Sequence, residues 1–130
     1  MQRKLLLSML FIAFFIELAL AMGAFFDTEI TMQKFGIPFN NDTLFPVYII
    51  AWLLLFVSLV CALTIWLLVL NNPIYKMVCY LLGLWWIAIG IGIFVVFKKT
   101  DNLLLDSLKG LIIIILTVRC KGENPPSSVK

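Results

Sequence analysis

Histidine is missing from the 130-residue chain altogether. Its absence removes the commonest metal ligand and the usual general base at neutral pH. Cysteine is scarce: Cys61, Cys79 and Cys120 share no CxxC spacing, which predicts free thiols rather than a metal site or a disulfide framework. Charge is scarce as well, with Asp, Glu, Lys and Arg supplying 13% of the residues, against about 25% in soluble domains. So few charges cannot cover a globule in water, and this excludes a soluble enzyme, a nucleic-acid binder or a disordered chain. Catalytic patterns are missing too. No nucleophile–base pair is visible, and Gly90-Ile91-Gly92 lies inside an apolar run with no phosphate-binding sequence after it. Accordingly we expect no catalytic residue, no metal and no cofactor.

What the chain does have is apolar surface. Hydrophobic residues make up 63%, the mean hydropathy is +1.09, and the apolar residues gather in long runs. Four stretches approach the ~20 apolar residues needed to cross a ~30 Å hydrocarbon core. Residues 5–26 are broken only by Ser8, Glu17 and Gly23; residues 46–70 and 77–97 carry no charge. Residues 103–118 are the weakest, because Asp106 and Lys109 interrupt the first half. Lipid cannot satisfy exposed backbone, and the runs are continuous rather than alternating, so these spans are helical. The expected fold is all-α: an integral membrane four-helix bundle, one domain over residues 1–120. Short links at 71–76 and 98–102 make consecutive helices antiparallel neighbours. The Pro- and Ser-containing tail, 121–130, is expected to be disordered.

The first connection, 27–45, is longer and too apolar for a freely solvated loop. Two readings fit it: a short helix near Thr28–Phe35, ended by Gly36 and Pro38 and lying partly at the bilayer surface, or an irregular surface loop. Asn41-Asp42-Thr43 in the same connection matches a glycosylation sequon. Four spans place both termini on one side. Arg3, Lys4, Lys76, Arg119, Lys121 and Lys130 share that side, against Lys34, Lys98, Lys99 and Lys109, and the positive-inside rule makes it cytoplasmic. The N-terminal run followed by Ala19-Leu20-Ala21 imitates a cleavable signal, but Glu17 within the run argues for a retained first span.

Three charges fall inside predicted spans. At ~1.5 Å per residue, Glu17 lies ~12 Å below the outer surface, and Lys109 and Asp106 enter the fourth helix ~10 Å and ~6 Å deep from that surface. A charge in lipid is costly and should face the bundle with a partner. Glu17, Asp106 and Lys109 are therefore expected to form an intramembrane polar cluster between the first and fourth helices. Such a cluster serves either to fix helix register or as a proton- or ligand-binding site. Trp85 and Trp86, ~12 Å into the third span, are away from the interfaces where tryptophan usually collects and are candidate walls of a pocket for a cation. Ala19-x-x-x-Gly23 and Ala88-x-x-x-Gly92, with Gly83, Gly90 and Gly110, are small residues of the kind that permit close helix approach within a bundle or dimer.

The layout of four hydrophobic segments in so small a chain resembles the DoxX-like family. The similarity rests on the long first connection with Phe35-Gly36-Ile37, a glycine-rich third span at Leu84–Gly92 and Asp106-Ser107-Leu108-Lys109-Gly110 opening the last. That resemblance implies a four-helix membrane bundle, sometimes linked to redox partners, and no catalytic motif. The chain is also similar in size to the small multidrug exporters, dimeric proton-coupled antiporters with a carboxylate midway along the first helix, where Glu17 stands. Its long first connection and its Asp106 and Lys109 depart from that pattern. The sequence thus points first to an accessory or scaffold subunit, or a binder of a small amphiphile, held in the bilayer as a homodimer or within a larger complex. The alternative is a proton-coupled transporter of lipophilic cations with Glu17 as the coupling carboxylate.

Overall fold

The computed structural model of the protein describes residues 2–36, 38–98 and 100–120. The tail expected to be disordered, 121–130, lies outside the described residues, as do Ile37 and Lys99 in the connections. The described residues form five helices and no strand: α1 (Gln2–Phe26), α2 (Thr28–Phe35), α3 (Asn41–Val69), α4 (Ile74–Phe97) and α5 (Thr100–Arg119).

Three helices are long and apolar enough to cross a membrane: Gln2–Phe26, Leu44–Val69 and Ile74–Val96. In each only 28% of the most apolar window is buried by the protein. Leu, Ile, Phe and Trp side chains cover the remaining faces, and lipid is the solvent in which such surface costs nothing. α5 has the length, 20 residues, but not the composition. Any 18-residue window in it holds three of Asp101, Asp106, Lys109 and Arg119. The described residues therefore make an all-helical membrane chain with three such spans and two shorter, more polar helices, α2 and α5.

α3 begins at Asn41, five residues before the apolar run read from residue 46, and carries Pro46 inside. Asn41 and Asp42 are good helix starters, and Asp42 in the first turn suits the positive end of the helix dipole. Pro46 forfeits one backbone bond near an end where donors are unpaired in any case. α2 forms over Thr28–Phe35, the helical of the two readings of this connection. Gly36 closes it in the left-handed conformation (φ 71°), its N–H donating to the carbonyls of Gln33 and Met32.

The chain divides into two compact units, residues 8–66 and residues 1–7 with 67–130. In the first, α1 hands over to α2 through Asp27 alone. The Asp27 N–H still donates to the Gly23 carbonyl (2.8 Å), the Thr31 N–H to the Asp27 carbonyl (3.0 Å), and the Thr28 hydroxyl to the Ala24 carbonyl (2.9 Å). Met32 of α2 is buried with Ala24 of α1 and Val47 and Ala51 of α3. Phe25 meets Trp52 edge-on, with ring centroids 5.4 Å apart, and stacks against Tyr48 at 6.3 Å.

In the second unit α4 and α5 pack along one another. A side-chain carbon added at Gly83 would meet Ile114 and the Gly110 carbonyl, and one at Gly110 would meet the Gly83 carbonyl and Ile87. Trp86 meets Lys109. As the α4 number rises the α5 number falls, so this pair is a hairpin, with the two glycines at its tightest crossing. The link turns at Lys98, which ends α4 in the left-handed conformation (φ 57°).

Candidate functional site

The polar positions of the hairpin begin with α5's own spacing. Asp106 and Lys109, three residues apart, share one helical face, and their side chains pair at 3.1 Å with only 14% and 20% exposure for Lys109 and Asp106. The Lys109 ammonium also lies over the Trp86 ring, 4.6 Å from its centroid. An aromatic face attracts a cation through its quadrupole, worth ~2 kcal/mol once water is excluded. Trp86 is 2% exposed. One ammonium thus carries both a carboxylate and an indole, and its charge is answered within the hairpin. Among buried side-chain atoms of the described residues, the Ser107 hydroxyl is left without a hydrogen-bond partner; it follows Asp106 directly in α5.

Trp85, one residue and ~100° around the helix from Trp86, is 41% exposed and turns away from the packed face. The two tryptophans therefore do different things: Trp86 covers Lys109, and Trp85 faces the surroundings. Glu17 belongs to the other unit. It is 4% exposed and lies on the packed stripe of α1 with Leu10, Ala13, Ala21 and Ala24, so the carboxylate does not face lipid. The structure brings Trp86, Asp106 and Lys109 together in the unit of α4 and α5 and buries Glu17 in the unit of residues 8–66.

Three buried hydroxyls escaped the sequence reading. Ser58, Thr64 and Thr117 are at most 1% exposed. Each donates back along its own helix, to the carbonyls of Leu55 (2.8 Å), Val60 (2.6 Å) and Ile113 (2.7 Å). A short hydroxyl that satisfies itself in this way crosses an apolar environment at little cost and needs no partner helix. In the sequence such residues read as neutral, because nothing distinguishes a packed serine from one facing lipid. Among the described residues no group of three or more His, Cys, Asp and Glu side chains could hold a metal ion, and Cys61, Cys79 and Cys120 are buried thiols outside any disulfide.

At the other end of the hairpin Arg3 donates to the Leu68 carbonyl at the end of α3, with the Val69 carbonyl at 3.5 Å. A cation on the last carbonyls of a helix satisfies unpaired acceptors and complements the negative end of its dipole. Cys120, just past α5, is buried. Burial pushes its thiol above the ordinary range, while Lys76 and Arg3 pull the other way.

Compared with family models, with curated proteins and with solved structures, the chain matches none. The class that fold and site define is therefore the one the geometry itself supports, a small polytopic membrane protein.

Proposed function

We propose that the protein is a four-span membrane scaffold or accessory subunit of DoxX-like type, with α5 as its fourth span and both termini on the cytoplasmic side. The observation that carries this reading is the arrangement on Lys109. Its ammonium is paired with Asp106 at 3.1 Å and covered by Trp86 at 4.6 Å. A binding site for a lipophilic cation needs the aromatic face empty; here the chain's own lysine occupies it. An internally neutralised cluster fixes the register of two helices and lowers the cost of carrying α5 through lipid. The exposed apolar faces of the spans leave ample area for lipid or for a partner chain.

Two measurements test the reading. Reporters fused after α5 and inserted in the α4–α5 link should appear on opposite sides of the membrane; reporters on one side would remove α5 as a span. In mild detergent, the purified protein should release no protons when a lipophilic cation such as tetraphenylphosphonium is added. Release that disappears in Glu17→Gln would overturn the scaffold in favour of a proton-coupled transporter.

A further inference from the structure

Among the described residues, one end of the hairpin carries charge of a single sign. Lys76 stands in the first turn of α4 and Arg119 in the last turn of α5. The register set by Trp86 on Lys109 and by Gly83 near Gly110 and Ile114, continued toward this end, brings Lys76 opposite Arg119. Arg3 is tied to the Leu68 carbonyl, and both Arg3 and Lys76 act on Cys120, so they lie beside the same end. Lys4 and Arg119 are exposed there, and Lys76 and Arg3 are partly so. The carboxylates among the described residues of this unit are Asp101 and Asp106. At ~1.5 Å per residue they stand ~27 Å and ~20 Å along α5 from Arg119, beyond the ~8 Å over which exposed charges act at physiological salt.

We propose that this end of the α4–α5 hairpin binds the phosphate of an anionic membrane lipid between Lys76 and Arg119, beside Arg3. Three features favour a lipid as the source of that phosphate. The site stands at the terminus of a helix apolar enough to span a bilayer. Below it the outward faces carry Met77, Leu81 and Val118, more than half exposed, against which acyl chains can lie. Arg3 is held by a backbone carbonyl, so its guanidinium is oriented before a lipid arrives. The inference rests on the membrane reading but not on the scaffold role.

The test is native mass spectrometry of the whole protein in a neutral maltoside, with equal amounts of phosphatidylglycerol and phosphatidylcholine. The wild type should retain phosphatidylglycerol in preference. Each cation at an anionic surface accounts for about fivefold in affinity, so K76Q/R119Q should lower the preference by about 25-fold. Lys98→Gln, at the opposite end of the hairpin, should leave it intact and serves as the folded control of changed charge. Equal retention of the two lipids, or a preference that survives in K76Q/R119Q, overturns the proposal. Displacement of the lipid by millimolar inorganic phosphate also overturns it, because the site would then belong to a free anion. Failure to retain either lipid would count against the membrane reading itself.

Discussion

The crossing of α4 and α5 predicts opposite outcomes for one substitution at two glycines. A methyl group at Gly110 would lie against the Gly83 carbonyl oxygen, 3.0 Å from Ile87 Cγ1 and 3.2 Å from the Ile87 nitrogen. Two of those obstacles are backbone, so no rotamer change relieves them and the helices must separate. Overpacking of this kind costs up to ~3 kcal/mol. Replacing a helical glycine by alanine returns ~1 kcal/mol of propensity, leaving Gly110→Ala ~2 kcal/mol less stable than wild type. At Gly92 an added methyl meets nothing within 4 Å, so only the propensity gain remains and Gly92→Ala should be neutral to ~1 kcal/mol more stable. The separation of ~3 kcal/mol between the variants corresponds to a factor of ~150 in the folded-to-unfolded ratio. It is measured by helix content during unfolding of the protein in maltoside micelles by added dodecyl sulfate. Gly110→Ala unfolding at or above the midpoint of Gly92→Ala would refute the close crossing.

Removing the charges of the polar pair one at a time takes from the other, largely buried side chain the ion pair that offsets its desolvation. Asp106→Asn and Lys109→Met should each destabilise, and together should cost ~1 kcal/mol less than their sum, as directly paired groups do. The same unfolding assay measures the cycle, and strict additivity would contradict the pairing. Cys120 should react slowly with a maleimide at pH 8, since burial holds its thiol protonated above the ordinary value of 9.0. The stability it lends is complete below the unfolded pKa and is lost as pH rises through the folded one. Alkylation as fast as a free cysteine at pH 8, or stability that rises with pH across that alkaline window, would refute this.

Helix positions were legible because lipid enforces a simple rule: runs free of charge over ~20 residues have one structural solution. The end of α2 at Gly36 was legible for a different reason, the left-handed conformation that glycine adopts at a helix end. Partnership within the polar set was legible only in part. Asp106 and Lys109 meet because three residues return the chain to one face of a single helix. That Trp86 rather than Trp85 covers Lys109 depends on how α4 is rotated about its axis, and a helix apolar all round carries no periodic signal for rotation. The same ambiguity left open which of the small residues named for close approach are the ones that pack. Ala88 and Gly92 have the small-residue spacing, yet Gly92 has nothing beside it, while the isolated Gly83 and Gly110 form the crossing. Spacing says where a helix is thin; only a neighbour's position says whether the thinness is used.

The bond from Arg3 to the Leu68 carbonyl joins residues 65 apart in the chain. Its consequence lies in the order of synthesis. The arginine leaves the ribosome before either its acceptor or the helix that presents it exists. At the usual 5–20 residues per second, about 3–13 s must pass before α3 is long enough to offer that carbonyl. Throughout the interval the start of the first helix lacks that tie. The tie then closes as the second long helix is completed, so the beginning of the protein is fastened only after its middle has been made.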